Sequence, residues 1–163
     1  MPRVSFAALP DAARIWIFAS DRPLDANESA LLLRDVDAFL DDWKAHGTPL
    51  RNAREWVNDQ FLVIGVDPSA EQASGCSIDG LFRSLQQLGD RLGTSLVSGG
   101  RIFYQDASGA TRRALRAEVR SAVQTGALTA DSPVFDTSLT TAGDFRRRFE
   151  QPARGTWVGS LIG

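Results

Sequence analysis

Two short apolar segments constrain the fold more than any other feature of this chain. One spans residues 14–20 and ends before Asp21-Arg22-Pro23, and the other spans residues 61–66. Both are apolar almost throughout and do not alternate with polar residues. An alternating strand keeps one face in water, whereas a strand that is apolar throughout is covered on both faces. Both segments are therefore predicted to be central strands of one buried sheet.

Two amphipathic helices are predicted to cover that sheet. The first begins at Asp25, where Glu28 stands at the spacing of a capping box, and ends near His46-Gly47. Its apolar face consists of Leu32, Val36, Phe39, Leu40 and Trp43. The second opens near Ser77 and ends at Gly93. Its apolar face consists of Ile78, Leu81, Phe82, Leu85, Leu88 and Leu92.

Two further strands complete the predicted core. A weaker strand at 53–57 is followed by Asn58-Asp59, a turn pair that predicts a hairpin with the apolar segment 61–66. The last strand is predicted at 101–105. The resulting order, β-α-β-β-α-β, is that of a ferredoxin-like α+β fold, in which an antiparallel sheet carries two helices on one face.

The domain organisation follows from this order. Residues 1–106 form the predicted ferredoxin-like core, and residues 107–163 form a mainly helical C-terminal extension packed on it, within a single compact domain. A helix is predicted from Thr111 to about Thr125. Trp157 is expected to dock on the body, because a free tail rarely keeps an exposed tryptophan.

Composition narrows the classes of function. A chain of 163 residues with 43% hydrophobic and 23% charged residues is typical of one globular domain. Its net charge of −2 gives no overall attraction to nucleic acid or anionic membranes. One cysteine and one histidine argue against an internal disulfide and a Cys/His zinc site. No apolar run reaches the roughly 20 residues that span a bilayer, and the first residues lack a signal-peptide core. We predict a cytoplasmic protein without cofactor, metal site or membrane partner.

Cys76 is the first candidate for chemistry. With Ser77 as the predicted N-cap, the thiol lies at a helix N-terminus, where free N–H groups and the macrodipole favour a thiolate. In a ferredoxin-like fold this loop and the one after the first helix share one end of the sheet. His46 is therefore predicted near Cys76, with Asp79 placed to orient the imidazole ring. The alternative interpretation is structural: a buried small cysteine and a histidine that caps a helix.

The same loop has a second interpretation as a ligand site. Ser74, Gly75 and Ser77 are predicted to present backbone N–H groups and hydroxyls to an anion at the helix N-terminus, without any catalytic role for the cysteine.

A basic patch is the second candidate. Arg112, Arg116 and Arg120 are spaced by four on the predicted third helix, with Arg113 beside them. Such a stripe binds phosphates or an acidic partner, or it is a solvated face paired with local acids. No interleaved aromatic residues suited to base stacking accompany it, which argues against nucleic acid.

The absence of several catalytic and nucleotide-binding motifs excludes some classes of enzyme. The chain has no G-x-x-x-x-G-K-[ST] phosphate loop, so a P-loop ATPase is excluded, and it has no nucleophile elbow or H-E-x-x-H pair. Function is not fixed by the sequence. The preferred hypothesis is a binding or interaction protein that has an unidentified protein partner or forms a homodimer. The alternative hypothesis is a Cys76-dependent enzyme or thiol sensor.

Several segments resemble a family of small uncharacterised bacterial proteins. They are, in chain order, Pro10 with Arg14-Ile15-Trp16-Ile17, Trp43-Lys44-Ala45-His46-Gly47, Ala73-Ser74-Gly75-Cys76-Ser77-Ile78-Asp79 and Val134-Phe135-Asp136. The family occurs mainly in Bacteroidetes, and its members are often labelled "ABC transporter ATPase". Because the phosphate loop is absent here, that label does not fit this sequence. The resemblance implies no catalytic residue.

A second resemblance concerns residues 101–136. A strand, a helix ending at Thr125-Gly126 and the Ser132-Pro133-Val134-Phe135 segment are together similar to small GYF-like peptide-binding modules. This resemblance implies a peptide-binding role for the last third of the chain.

Overall fold

The computed structural model describes residues 3–97 and 99–162 and has an α+β architecture with antiparallel sheets. The chain divides into two compact units. Unit 1 comprises Met1–Val97 and Leu139–Asp144, and unit 2 comprises Ser98–Ser138 and Phe145–Gly163. The boundary therefore differs from the predicted one at residue 106.

Unit 1 contains a three-stranded sheet, a small hairpin and two long helices. In chain order they are β1 (Arg14–Ala19), α1 (Ala26–Asp41), β2 (Lys44–Ala45), β3 (Thr48–Pro49), β4 (Asn52–Val57), β5 (Phe61–Val66) and α2 (Gly75–Leu92). A 3-10 turn at Phe6–Ala8 precedes β1.

β5 is the centre of the unit 1 sheet. It pairs antiparallel with β1, where Trp16 lies opposite Ile64, and with β4, where Trp56 lies opposite Leu62. All six residues of β5 are buried, as its uninterrupted apolar sequence predicts. The hairpin between β4 and β5 turns at Asn58 and Asp59, whose φ angles of 56° and 54° lie in the left-handed region. The central position of β5 and this hairpin are confirmed, whereas β1, also predicted to be central, is an edge strand of the three-stranded sheet.

The two helices share one core cluster with the sheet. Leu32, Val36 and Leu40 of α1 are buried, and Leu81, Leu85 and Leu88 of α2 are buried in the same cluster. The apolar spacings therefore predicted most of both buried faces, whereas Phe82 is exposed and Trp43, although buried, lies beyond the end of α1. Gly93, with φ of 70°, terminates α2 as expected.

The capping box that begins α1 is confirmed and extends into an ion pair. Glu28 N donates to Asp25 Oδ1 at 2.8 Å, and Asp25 N donates to Glu28 Oε1 at 3.1 Å. Arg22 binds both carboxylate oxygens of Glu28, at 2.8 and 2.6 Å, and its Nη2 also donates to Leu92 O at the end of α2. Arg22 thus joins the start of α1 to the end of α2.

This arrangement gives unit 1 an acid-sensitive element. The hydrogen bonds from Arg22, and next the backbone N–H of Asp25, lower the pKa of Glu28 from 4.5 to about 2. A lowered pKa in the folded state means that the stabilisation is complete above about pH 4.5 and is lost as the pH falls toward 2. We expect Glu28→Gln to have a flatter pH dependence of unfolding between these values than the wild type. The exposed Glu55→Gln is the control, and equal curves for Glu28→Gln and wild type in urea denaturation would contradict the assignment.

Unit 2 is built on a four-stranded sheet in the order β7-β6-β8-β9. Its elements are β6 (Arg101–Gln105), β7 (Thr111–Leu115), α3 (Arg116–Gln124), β8 (Pro133–Phe135), β9 (Glu150–Pro152) and α5 (Gly159–Ile162). The helix α4 (Ala142–Arg148) begins in unit 1 and ends in unit 2. The core cluster of unit 2 consists of Tyr104, Ala114, Val119, Leu128, Val134, Ala153 and Val158.

The predicted four-stranded ferredoxin-like sheet is wrong in its fourth strand. Residues 101–105 do form a strand, but it pairs with β7 and β8 in unit 2 rather than with β1. The cause is a tight local hairpin: Asp106 Oδ1 accepts from Ser108 N at 2.9 Å and Ala110 N at 3.2 Å, which turns β6 directly into β7. At the outer edge of β1, Ile15 N donates instead to Thr140 O at 2.9 Å.

The predicted helical extension at 107–163 also needs correction. Thr111–Leu115 is a strand, so Thr111 is not a helix cap, and helix α3 begins only at Arg116. Strands β8 and β9, which pair with each other, belong to the same sheet and are not helical. Arg112, Arg113, Ala114 and Leu115 are helix formers by intrinsic propensity, and their pairing with β6 overrides this preference.

Candidate functional site

The predicted anion loop forms a closed capping box at the start of α2. Ser77 N donates to Ser74 Oγ at 3.2 Å, and Ser74 N donates to Ser77 Oγ at 2.7 Å. The N-cap is therefore Ser74, and the predicted N-cap, Ser77, is instead the third helical residue. Gly75 and Cys76 occupy the first two helical positions, and both are exposed. The hydroxyls of both serines bind the chain's own backbone.

His46 lies in a tight turn rather than at a helix end. Helix α1 ends at Asp41, and His46 and Gly47 join β2 to β3 with φ angles of 53° and 77°. The predicted helix end at His46 is wrong because residues 44–49 form a two-residue-turn hairpin.

The two loops do lie at the same end of unit 1. The indole Nε1 of Trp43, just before β2, donates to Ser77 O at 2.8 Å in a buried hydrogen bond. Within residues 3–97 and 99–162, however, no hydrogen bond or ion pair joins His46, Cys76 and Asp79, and all three are exposed. Their joint catalytic role stays a prediction.

The predicted arginine stripe is divided between two elements. Arg112 and Arg113 lie on strand β7, and Arg116 and Arg120 lie on helix α3. Arg112 Nε donates to Asp106 Oδ2 at 2.6 Å, and this bond, ahead of the charge of Asp106, raises the pKa of Arg112. The four side chains therefore do not form one helical surface.

A depression of about 480 Å³ in unit 1 is lined by the segment from Arg3 to Ala7 together with Asp41, Arg54 and Glu55. Arg3 Nε binds Asp41 at 3.0 Å, and Arg54 Nε binds Asp37 at 2.8 Å. The hydrogen bonds from Arg54, ahead of its charge and that of Arg3, lower the pKa of Asp37. Both arginines of the lining are therefore paired with carboxylates of the same unit, Arg3 with Asp41 inside the depression and Arg54 with Asp37 beside it.

The structural feature that sequence reasoning missed is a cleft of about 350 Å³ in unit 2. We call it the Trp157 cleft; it is lined by Arg101, Ile102, Arg116, Val134, Phe135, Asp136, Thr137, Ser138, Thr156 and Trp157. It opens where the β6–β8 ladder ends: Phe103 pairs with Phe135, and beyond this pair the two strands separate. Its lining combines apolar side chains, hydroxyls and two guanidinium groups.

Trp157 stands at this cleft with 41% of its surface exposed. Its backbone is fixed on both sides, because Thr156 Oγ1 donates to Ala153 O at 2.8 Å and Val158 is fully buried in the unit 2 core. The C-terminal segment therefore docks through Val158, while the indole of Trp157 remains accessible. A rigid, accessible aromatic ring costs little conformational entropy when a ligand covers it.

Arg116 lies against the Trp157 ring. Its guanidinium carbon is 4.5 Å from the ring centroid, the distance of a cation–π contact. The pair forms a flat platform with an apolar ring and a donor edge.

The remaining polar groups of the cleft lie on β6 and after β8. Arg101 is half-buried with its guanidinium 5.4 Å from the Phe103 ring, and burial, followed by the charge of Arg113, lowers its pKa. Asp136 Oδ1 accepts from Ser138 N at 2.9 Å and from Ser138 Oγ at 2.5 Å, which fixes the loop after β8.

Comparison with protein-family models, with curated proteins and with solved structures finds no match for this chain. Within the residues that the structure describes, no helix combines the length and apolar character needed to cross a membrane. The same residues contain no group of three or more His, Cys, Asp or Glu side chains placed to hold a metal ion.

Proposed function

We propose that this chain is an interaction protein whose unit 2 binds an extended peptide segment of a partner protein in the Trp157 cleft. The observation that carries the proposal is the exposed, backbone-anchored indole beside a cleft with apolar and polar lining. Peptide-binding surfaces combine such aromatic anchors with a few fixed polar groups.

The order of elements in unit 2 supports this proposal. The resemblance to GYF-like peptide-binding modules rests on a strand, a helix and the segment through Phe135, and unit 2 has β6, α3 and β8 at these places, with the unpredicted strand β7 between β6 and α3. The ferredoxin-like description is proposed only for unit 1, in a three-stranded form with the order β1-β5-β4. A cytoplasmic location and the bacterial family resemblance stay predictions.

The proposal is tested by selecting phage-displayed random dodecapeptides on the immobilised full chain, with counter-selection on Trp157→Ala. We expect enriched peptides that bind the wild type and not the variant. Enrichment of peptides that bind both proteins equally would place the site elsewhere and contradict the proposal.

The alternative function, a cysteine enzyme or thiol sensor, is favoured by one observation: Cys76 is an exposed residue in the first turn of an 18-residue helix. We expect iodoacetamide to alkylate Cys76 in the folded protein, as followed by intact mass. Because no hydrogen bond joins the two side chains, we expect His46→Ala to leave the rate unchanged. A marked slowing in His46→Ala would instead support the enzyme.

A further inference from the structure

We propose that the Trp157 cleft is selective for an acidic segment. In this arrangement an Asp or Glu side chain of the bound peptide pairs with Arg116 while an apolar neighbour lies on the Trp157 ring. The inference rests on the proposed function and adds the chemistry of the partner.

The charge distribution along the chain supports an acidic partner. Unit 2 contains nine arginines and no lysine against five carboxylates, a net charge of +4, whereas unit 1 has nine basic and fifteen acidic side chains, a net charge of −6. The opposite net charges of the two units sum to the overall charge of −2. A basic unit attracts acidic segments and disfavours basic ones.

Arg116 is placed where a helix gains nothing from a cation. It is the first residue of α3, and a positive side chain at a helix N-terminus opposes the macrodipole. The helix start is satisfied in another way, since Leu115 N donates to Glu118 Oε1 at 2.7 Å. An anionic ligand at this position would interact favourably with the guanidinium of Arg116.

The cleft lining itself has an excess of positive charge. Arg101 and Arg116 are its two cations, and Asp136 is its one carboxylate among the lining residues. The oxygen Oδ1 of Asp136 already accepts two hydrogen bonds from Ser138. A ligand carboxylate therefore meets guanidinium groups that outnumber the acids beside them.

A peptide fits these features better than a nucleic acid. Among the described aromatic residues of unit 2, Trp157 is exposed, Phe145 is half-buried and the others are buried, whereas single-stranded nucleic acids stack on successive exposed aromatic rings. Ile102, Val134 and Phe135 give the cleft an apolar component suited to aliphatic side chains.

The test analyses the peptides enriched by the selection on the full chain. We expect Asp or Glu next to an apolar residue in these peptides. A synthetic peptide of the enriched sequence is expected to bind Arg116→Gln about tenfold more weakly than wild type. Its affinity for the wild type should also fall as salt rises from about 50 mM to about 500 mM.

Matched variants separate binding from folding. Arg120→Gln changes the same residue type one turn later on α3, outside the cleft, and should bind as the wild type does. Arg116→Lys keeps the charge and is expected to retain the salt dependence. Arg116→Gln should match the thermal stability of the wild type because it removes a cation from a helix N-terminus. If it fails to fold, Arg116→Lys and the salt series decide the outcome.

Failure of the acidic selectivity and failure of the proposed peptide-binding function give different results. Neutral or basic peptides that need Trp157 but bind Arg116→Gln as well as wild type would overturn the acidic selectivity and leave the proposed function intact. Peptides that do not discriminate between wild type and Trp157→Ala would overturn both. Displacement of the peptide by oligothymidylate at equal or lower concentration would assign the cleft to nucleic acid and overturn the inference.

Discussion

Replacing Asn52 with aspartate is expected to lower the free energy of unfolding of unit 1 by about 3 to 4 kcal/mol at neutral pH. Asn52 is fully buried, and its Nδ2 donates to Leu40 O at 2.8 Å and to Leu50 O at 3.1 Å. These bonds join the end of α1 to the segment that enters β4. The isosteric substitution leaves an oxygen facing two carbonyl oxygens, in place of a donor.

The pH dependence of this loss has a defined sign. Burial disfavours the ionised form, so the pKa of an aspartate at position 52 would lie above its unfolded value of about 3.9. The penalty is therefore largest at neutral pH and shrinks as the pH falls through the raised pKa, where the protonated carboxyl can donate one hydrogen bond.

The measurement is urea denaturation of wild type and Asn52→Asp, followed by tryptophan fluorescence at pH 7 and about pH 4.5. Asn58→Asp is the control, because the same substitution at an exposed turn position should change stability by less than about 0.5 kcal/mol. A loss below about 1 kcal/mol for Asn52→Asp, or a loss that grows on acidification, would contradict the assigned donor role.

Trp157→Ala is expected to weaken binding of a selected peptide by at least about a hundredfold. The substitution removes the exposed ring of the cleft and also the surface on which Arg116 is held. Truncation of a central aromatic anchor at an interface commonly has effects of this size.

Two variants serve as controls for Trp157→Ala. Phe82→Ala removes another exposed aromatic side chain, on α2 of unit 1, and should leave peptide affinity unchanged. Trp157→Phe keeps an aromatic face and should recover part of the affinity. Equal affinities for wild type and Trp157→Ala in fluorescence anisotropy titrations would show that the cleft is not the binding site.

The elements that could be predicted from the sequence are those whose signals are local. The capping box at Asp25, the turn at Asn58-Asp59 and the uniformly apolar β5 each carry their own residue pattern, and the structure has all three. Strand β6 was also recognisable as a strand. The strands with which β6 pairs could not be predicted. The hydrophobic pattern indicates that a segment is a strand, but it does not identify the neighbouring strand when a nearby hairpin competes.

The candidate site was harder to predict for a related reason. The Trp157 cleft combines residues of β6, the start of α3, the segment after β8 and the C-terminal segment, which are far apart in the sequence. The arginine spacing of four predicted one helical stripe. Arg112 instead lies on a strand, and Arg116 packs against the Trp157 ring. Such a site becomes visible only when the pairing of the strands is known.

Binding of the partner at Trp157 of unit 2 can be observed by NMR of the four indole N–H groups. Trp43 and Trp56 have hydrogen-bonded indole N–H groups in unit 1, to Ser77 O and Ser29 Oγ, and Trp16 lies on β1. These three are internal controls during titration of the ¹⁵N-labelled full chain with a selected peptide. We predict that the Trp157 resonance shifts in a saturable way while the other three stay in place. A saturable shift at Trp43, beside the start of α2, with Trp157 unchanged would contradict it.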